Sequence, residues 1–443
     1  MNSRLLPCQG SALPLSYVPE SNGFVNTSAY LCQGQIRLEN QQSGSLARIR
    51  IDLGPIGVSL PFKPGLKRRL KGNLMMGRRA FIQKMTQGLK AMLLLQMIPG
   101  CVARAAIDET SRDEIHYNLL DGTTLKELAA RKVHHGTEGR FLNPLGKARR
   151  RKGLGELLHW KLFSENEYRS HLDEQPVTQV RVDWDGLEKS DGVSVTFIKH
   201  ASVLIKDQDR HLIVDPVFND IFWFIRDFSP LDFDVTEMPA VDHILLTHGH
   251  YDHFDKGSLS LFNANTHVVA PLGYDNLLDG LGMTNRSPLD WYETYSDGKR
   301  KITFLPCNHW TMRNPFSGPN RALWGSYVVE TAGGKTIYVS GDTAFFDGFR
   351  EIGSQFDIDL AIVNLGAYEP RWFMAPSHMN PEETVTAFKQ LGAKQLMVVH
   401  WGTFRLGDEP VHFPPMDLRA VMEKEGLLDR WVDIKHGETH FLA

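Results

Sequence analysis

The stretch Thr247-His248-Gly249-His250-Tyr251-Asp252-His253-Phe254-Asp255 decides the fold of this chain. It places three imidazoles and one carboxylate within six residues, directly after the run His243-Ile244-Leu245-Leu246. A short apolar run followed by polar residues predicts a buried strand that delivers ligands from its carboxyl end into a loop. The cluster is therefore expected to bind metal, because burying these groups unpaired would cost several kcal/mol.

Size and composition indicate a globular protein with one large domain or two ordinary ones. The chain has 443 residues, of which 42% are hydrophobic. Its net charge of −3 is unevenly distributed, because residues 1–105 carry 14 Lys/Arg against three acidic residues and the remainder is therefore strongly acidic. An acidic body argues against a nucleic-acid partner, which would need a basic face. An anionic substrate would require a local positive centre, which bound metal would supply.

The chain before the catalytic body divides into three predicted segments. Residues 1–74 show no sustained helical or strand periodicity and are interpreted as a disordered tail or as a start-site artefact. Residues 75–105 resemble a signal segment, and residues 106–192 form a polar lead-in of helices and loops. The lead-in contains a basic amphipathic stretch, Lys147 to Leu162, which predicts either contact with an anionic membrane surface or packing on the protein's own core.

The signal segment has the layout of a twin-arginine export signal. It contains Arg78-Arg79 and a mildly apolar stretch from Met92 to Ile98, far shorter than the ~20 residues of a membrane span. Cleavage after Ala105 is the preferred processing, with lipidation at Cys101 as the alternative. The layout predicts a bacterial periplasmic or cell-envelope protein. An ordinary surface helix in a cytoplasmic, membrane-associated protein is the competing interpretation.

Residues 193–443 change to short β-branched runs, most of which end at ligand-type residues. The predicted strands are Val193–Lys199, Ser202–Lys206, His211–Val214, Val241–Leu246, Lys301–Leu305, Lys335–Val339, Leu360–Asn364 and Gln395–Val399, with helices at Pro381–Leu391 and Met416–Glu425. Sheet enzymes build sites where such strand ends converge. The order of elements predicts an α/β protein with two packed β-sheets and helices on their outer faces.

Seven residues are predicted to bind two metal ions. His248 and His250 lie two residues apart, whereas Asp252 and His253 fall on the following turn and can face a second ion. The two predicted sites are His248, His250 and His309 with Asp342, and Asp252, His253 and His400 with the same Asp342. Imidazoles and carboxylates without thiolates favour two Zn²⁺, and iron or manganese would suit the same ligands.

The pattern His248-x-His250-x-Asp252-His253, with His309, Gly341-Asp342-Thr343 and His400, resembles the metallo-β-lactamase superfamily. The runs from Gly366 to Met374 and from His400 to Phe404 are similar to the N-acylphosphatidylethanolamine-hydrolysing phospholipase D family. The similarity extends from about Gly139 to the carboxyl terminus. It implies an αβ/βα sandwich, two zinc ions, and hydrolysis of a phospholipid on its head-group side to phosphatidate and an N-acylethanolamine.

Roles are also predicted for individual residues, and that of His378 is implied by the resemblance. Asp252 is expected to be catalytic by orienting the attacking water, and His378 matches a histidine that assists near the phosphate. Tyr368 and Arg371 are predicted substrate contacts, and Arg371 has an alternative role as a structural partner of Glu369. Lys199 is larger than expected before His200, which bears on acyl-chain preference.

The expected partner is a phospholipid. Peripheral membrane contact is predicted for the apolar loop Ile221 to Ile225, unless that loop packs on the core. The sequence leaves a homodimer open. Because related superfamily members open lactones or thioesters with the same ligands, a metal-dependent lactonase or another hydrolase is the alternative function. A scaffold without activity is disfavoured because all seven ligand positions are intact.

Overall fold

The structure is a computed structural model that describes residues 122–146, 154–171, 176–222, 225–314 and 317–443, together with the backbone of four strands within residues 27–61. The chain divides into two compact units, Met1–Ile82 and Gln83–Ala443. The predicted signal segment, with Cys101 and Ala105, and the basic run from Lys147 to Lys152 lie outside the described residues. Export and processing therefore stay predictions.

The first unit contains an antiparallel sheet in the order β1-β2-β3-β4. Its strands are β1 Thr27–Leu31, β2 Gly34–Asn40, β3 Leu46–Leu53 and β4 Ile56–Pro61. They lie in the segment for which the sequence predicted no regular structure. The alternation that indicates a strand extends over only a few residues here. In β3, Ile49, Ile51 and Leu53 alternate with polar residues, which is the period of a half-buried strand. Whether residues 1–74 are made stays a prediction.

The second unit contains two mixed sheets. Its strands are β5 Val193–Lys199, β6 Ser202–Asp207, β7 Arg210–Val214, β8 His243–Leu245, β9 His267–Pro271, β10 Arg286–Leu289, β11 Thr294–Ser296, β12 Lys301–Leu305, β13 Ser326–Glu330, β14 Thr336–Val339, β15 Leu360–Asn364, β16 Gln395–Val399 and β17 Thr439–Leu442. One sheet has the order β10-β9-β8-β7-β6-β5-β17, and the other β11-β12-β13-β14-β15-β16. Each sheet combines antiparallel pairs with a parallel portion, β7 to β10 in one and β14 to β16 in the other.

Short helices accompany the two sheets. The α-helices are α1 Leu125–Ala130, α2 Leu154–Phe163, α3 Trp184–Lys189, α4 Lys256–Leu259, α5 Asp275–Asp279, α6 Gly348–Gln355, α7 Arg371–Met374, α8 Pro381–Leu391 and α9 Phe413–Lys424. Single 3₁₀ turns occur at Arg169–His171, Val235–Glu237 and Leu428–Arg430. No helix within the described ranges is long and apolar enough to cross a membrane.

Alternate residues of the central strands face two cores. In β7, Leu212 and Val214 belong to the large cluster that also contains residues of the other sheet. Ile213, between them, joins a cluster with Leu259 of α4 and Leu278 of α5. A strand covered on both faces is apolar at successive positions, which explains why these runs are continuous in the sequence. The αβ/βα sandwich predicted from the sequence is confirmed.

Several predicted elements agree with the structure in detail. The bounds of β5, β12, β15, β16 and α8 are those predicted. Helix α9 begins at Phe413 rather than at Met416, because Pro414 lies in its first turn, where proline is well tolerated. The lead-in is not separate from the catalytic core, since Leu125 and Leu128 of α1 are buried in the large cluster.

Candidate metal centre

Parallel pairing brings the ligand segments to one edge of each sheet. In the first sheet, Leu245 at the end of β8 is aligned with Val214 of β7, and the cluster-bearing loop follows. In the second sheet, Asn364 at the end of β15 is aligned with Val399 of β16, directly before His400. The sequence rule that ligands follow strand ends therefore holds in three dimensions.

The loop after β8 is shaped by one helical turn. The backbone N–H groups of His253 and Phe254 both donate to the carbonyl of His250, at 3.2 and 2.9 Å. Gly249 is required before the turn, because a Cβ there would lie 2.8 Å from the Tyr274 ring and 2.9 Å from the Thr311 hydroxyl. The turn places Asp252 and His253 after the pair His248 and His250, with the His253 ring 4.1 Å from that of His248.

The first cluster consists of His248, His250, His309 and Asp342. Nδ1 of His250 lies 2.9 Å from Nε2 of His248 and 3.3 Å from Nε2 of His309. Oδ2 of Asp342 lies 3.6 Å from His248 Nε2 and 3.7 Å from His309 Nε2. The four ligand atoms therefore enclose one point.

The second cluster consists of His200, Asp252, His253 and His400, and it adjoins Asp342. Nε2 of His253 lies 3.3 Å from Oδ2 of Asp342, and Nε2 of His400 lies 3.3 Å from Oδ1 of the same carboxylate. Asp252 Oδ2 lies 3.6 Å from His253 Nε2 and 3.4 Å from His400 Nε2. Asp342 thus lies between the clusters, and its role as a shared metal ligand stays a prediction.

The spacing of these atoms fits bound metal. Ligands at 2.0–2.1 Å from a tetrahedral ion are about 3.3 Å apart, and the separations named above range from 2.9 to 3.7 Å. Within the part of the chain that the structure describes, the buried Nε2 atoms of His253 and His400 have no hydrogen-bond partner. Because a buried imidazole nitrogen is costly to leave unpaired, a cation at the second cluster, to which both histidines belong, would account for these atoms.

Ionisation also favours cation binding. Burial lowers the pKa of His248 and His309 well below the usual imidazole value, so both are neutral. Burial opposes the charge of Asp342, but His400, His253 and His378 outweigh it and hold its pKa well below the usual range. Neutral imidazoles and ionised carboxylates are the forms that bind metals.

His253 is the exception among the imidazole ligands. Burial alone would lower its pKa, but Asp342, Asp252 and Asp215 outweigh burial and raise it well above the usual value. A proton on His253 thus balances the surrounding carboxylates in the metal-free protein. A bound cation would take the place of that proton, so metal binding should release it.

Buried polar groups orient the ligands from behind. Asp215 accepts hydrogen bonds from His253 Nδ1 at 2.8 Å and from the Thr247 hydroxyl at 2.5 Å. Asn364 donates to Asp342 Oδ1 at 2.9 Å, and His309 Nδ1 lies 3.1 Å from the Ser377 carbonyl. Such partners fix the tautomer and the orientation of metal ligands.

Sequence reasoning did not assign His200 or Asp215 to the centre. Nε2 of His200 lies 3.1 Å from Asp252 Oδ2, and its ring lies 4.1 Å from that of His400. Both residues directly follow a strand, His200 after β5 and Asp215 after β7, so the strand-end rule could have found them. Lys199, noted as unusually large, is buried in a salt bridge with Asp227.

His378 lies beside both clusters. Its ring centroid is 5.4 Å from that of His309 and 5.9 Å from that of His400. Burial is the main cause that lowers the pKa of His378 to about 4, so the imidazole is neutral near pH 7. A neutral imidazole can donate one hydrogen bond to a substrate, but it is a poor general acid at that pH.

The structure does not bring Tyr368 and Arg371 into the clusters. The buried Tyr368 hydroxyl donates to Asp417 at 2.6 Å. The Arg371 guanidinium donates to Glu383 at 2.7 Å and to the His378 carbonyl at 3.0 Å. The sequence pointed to Glu369 as the structural partner, but the Glu369 carboxylate accepts the backbone N–H of Arg371 at 2.8 Å, and the guanidinium bonds to Glu383 instead. These contacts support Arg371 and, through it, the His378 segment, while substrate contact stays a prediction.

A third His/Asp group lies outside the centre. His134 and His135 approach Asp290, with nitrogen–oxygen distances of 2.5 and 2.7 Å, and Lys132 contacts the same carboxylate at 2.5 Å. These distances are hydrogen-bond lengths, shorter than the edges of a metal site. The group therefore connects residues 132–135 to Asp290 through hydrogen bonds and an ion pair.

Sequence comparisons agree with this geometry. A family profile, the beta-lactamase superfamily domain, matches residues 210–401. The N-acyl-phosphatidylethanolamine-hydrolyzing phospholipase D 1 of Caenorhabditis elegans is 31% identical over 276 residues, which are 57% of this chain and 77% of that protein. The chain belongs to the N-acylphosphatidylethanolamine-hydrolysing phospholipase D family of the metallo-β-lactamase superfamily.

Another member of this family is similar over a shorter part of its length. The mitochondrial N-acyl-phosphatidylethanolamine-hydrolyzing phospholipase D of Saccharomyces cerevisiae is 31% identical over 242 residues, covering 52% of this chain and 51% of that protein. Among solved structures, an isothiocyanate hydrolase from Delia radicum gut bacteria is 20% identical, with a TM-score of 0.48 over 56% of this chain and 98% of that chain. The protein is a metal-dependent hydrolase, and its two His/Asp clusters are able to bind the metal.

Proposed function

We propose that this hydrolase binds two zinc ions and cleaves N-acylphosphatidylethanolamine-like phospholipids to phosphatidate and an N-acylethanolamine. The observation that carries the proposal is that the two family-specific runs meet at the candidate ligand His400. Gly366 begins one run, and a Cβ on it would lie 2.2 Å from the carbonyl of His400, which begins the other. The Gly366 end of one family-specific run therefore packs against the candidate ligand that begins the other, which supports a reaction of this family's type at the predicted site.

The predicted ligands form two metal sites that share Asp342. One ion would be held by His248, His250, His309 and Asp342, and the other by Asp252, His253, His400 and the same Asp342. When bound, the two ions supply a water of lowered pKa and positive charge for the phosphate oxygens. The strongly acidic body makes this local positive charge necessary for an anionic lipid.

Two further groups act on the water and the phosphate. Asp252 orients the attacking water, and its own orientation is set by His200 at 3.1 Å. Neutral His378 donates an N–H to a phosphate oxygen, since its pKa of about 4 leaves it unprotonated near pH 7. The departing alkoxide therefore takes its proton from water.

Lipid access is proposed at the loop that begins at Ile221. The Phe222 ring lies 5.1 Å from the Tyr251 ring, so this end of the loop adjoins the metal-ligand loop. Trp223 and Phe224 lie outside the described residues. Peripheral membrane contact at this point would present a head group directly to the centre.

The test is product analysis with defined lipids. Zinc-loaded protein is incubated in ¹⁸O-labelled water with vesicles that contain N-acylphosphatidylethanolamine, and the products are identified by mass spectrometry. Phosphatidate that carries one ¹⁸O, beside unlabelled N-acylethanolamine, is expected because water attacks phosphorus. Asp342→Asn should lose roughly 10²-fold or more in turnover, because both ions lose a ligand.

A second substrate distinguishes the alternative function. An acyl-homoserine lactone is offered to the same preparation in parallel. Rapid lactone opening without release of N-acylethanolamine would contradict the proposal and favour the lactonase. Diacylglycerol in place of phosphatidate would show that the other phosphoester bond is cut.

A further inference from the structure

Arg313 connects two of the segments that supply metal ligands. It follows the ligand His309 by four residues, and its side chain reaches the loop after β8. Its Nη1 donates to the carbonyl of Gly249 at 3.2 Å and to the carbonyl of Phe254 at 2.6 Å. The same guanidinium lies over the Tyr251 ring, 4.3 Å from its centroid. One side chain thus contacts the start, the middle and the end of the ligand loop.

The ligand loop needs such support because it is a single helical turn. An isolated turn is unstable, since it fixes several backbone angles for very few hydrogen bonds. Its final carbonyls also lack partners within the turn. Arg313 satisfies the carbonyl of Phe254 and places a positive charge at the negative end of the turn, where cations are favourable.

The ligand loop also forms hydrogen bonds with other groups of the segment 311–313. The Thr311 hydroxyl accepts the N–H of Gly249 at 2.9 Å, and the Tyr251 hydroxyl donates to the carbonyl of Arg313 at 2.8 Å. The segment 311–313 therefore bonds to the loop through both side chains and backbone. Both Arg313 bonds go to uncharged carbonyls, which suits a role in shaping backbone rather than in balancing a carboxylate.

We infer that Arg313 is a positioning residue for the metal centre. By fixing the turn between Gly249 and Phe254, it sets the directions in which four of the ligands point. His248 and His250 serve the first cluster, whereas Asp252 and His253 serve the second. Disturbing the turn should therefore weaken both metal sites together. The inference rests on the proposed two-metal site, but it does not depend on which substrate is cleaved.

Lysine is the informative replacement. Arg313→Lys keeps the positive charge but cannot stack as a planar group on Tyr251 while bonding to two carbonyls. Zinc affinity is measured on metal-stripped protein by competition with a chromophoric chelator, without substrate. Loss of a partner behind a metal site typically lowers affinity by 10- to 100-fold, and we expect a loss of roughly this size for both ions.

Arg430 offers a matched control in the same unit. Its guanidinium lies 4.6 Å from the centroid of the Phe388 ring and donates to the carbonyls of Ala393 and Lys394, which precede β16 at the end opposite to His400. Arg430→Lys removes the same kind of interaction, so it should lower thermal stability while leaving zinc affinity unchanged. Equal loss of affinity in both lysine variants would show a general effect of destabilisation and overturn the inference.

A second variant covers the case in which Arg313→Lys does not fold. Tyr251→Phe keeps the ring under the guanidinium and removes only the hydrogen bond to the Arg313 carbonyl. Circular dichroism establishes folding, and the chelator assay is repeated with a smaller loss expected in both sites. Wild-type affinity in the folded variants would overturn the inference. If the variants lose zinc affinity as expected but the wild type does not hydrolyse the lipid, only the proposed substrate is refuted.

Discussion

The proposed role of His378 can be tested directly by substitution. It lies beside both clusters, yet its side chain is not part of either ligand group. His378→Phe keeps the ring but removes both nitrogens, so a substrate hydrogen bond would be lost while metal binding is retained. Turnover of N-acylphosphatidylethanolamine should fall by roughly 10²–10³-fold, as for loss of one transition-state donor.

The zinc content of the variant distinguishes this role from ligation. It should equal that of the wild type, and His378→Gln, which retains an amide donor, should recover part of the activity. A matched control is His436→Phe, because His436 is a buried histidine bonded to the Trp401 carbonyl at 3.1 Å. A loss of zinc in His378→Phe alone would make His378 a ligand.

At the same scale, ligands and their supporting residues differ in how far the sequence predicts them. His248, His250, Asp252 and His253 are recognisable because metal-ligand types are concentrated within six residues. Arg313 carries no such local signal, since its function comes from carbonyls that lie about sixty positions earlier. A hydrogen bond to backbone does not depend on the residue type of its partner, so it leaves no motif.

Among the elements, helix α8 holds the segment that contains His378. Its N-cap Asn380 accepts the N–H of Glu383 at 2.9 Å, and Glu383 accepts the N–H of Asn380 at 3.1 Å. Asn380→Ala should therefore lower the free energy of unfolding by about 1 kcal/mol, the usual cost of losing an N-cap. Urea denaturation monitored by circular dichroism measures this change.

Helix α6 supplies the comparison for this prediction. Its N-cap Asp347 makes no side-chain capping hydrogen bond, so Asp347→Ala should cost less than Asn380→Ala. Equal losses in the two variants would show that the capping box of α8 does not stabilise the fold. Turnover should change little in either, because Glu383 can still pair with Arg371.

Element prediction succeeded where burial shaped the sequence. Strands β5 and β15 are buried at every position and β16 at every position after Gln395, and all three were predicted with the observed bounds. Strand β17 was not predicted, because Thr439–Leu442 is short and its antiparallel partner β5 lies far away in sequence. Its position beside β5 follows from tertiary pairing, which local periodicity does not encode.

For the molecule as a whole, the pH dependence of stability depends on buried groups such as Glu409. Its carboxylate accepts the N–H groups of Tyr368 and Glu369, each at 3.0 Å, at the base of a family-specific run. Burial is the main cause that raises the pKa of Glu409 from 4.5 to about 7, with a further contribution from Glu369. The two backbone bonds oppose this shift without cancelling it.

The sign of the effect follows from proton uptake. Between pH 4.5 and about 7, the folded state holds a proton on Glu409 that the unfolded state has released. Stability from this group is therefore present at low pH and is lost as the pH rises through about 7. A shift of this size corresponds to about 3 kcal/mol across the window.

Glu409→Gln should remove this dependence. The variant loses one acceptor for a backbone N–H, so it should be less stable than the wild type at the acid end of the window. Its stability relative to the wild type should then improve by about 3 kcal/mol as the pH rises from 4.5 to about 7, because the wild type must ionise a buried carboxyl over this range. Urea unfolding of both proteins with chelator present gives this difference, in which the other titrating groups cancel. A constant difference across the window would mean that Glu409 ionises equally in the folded and unfolded states.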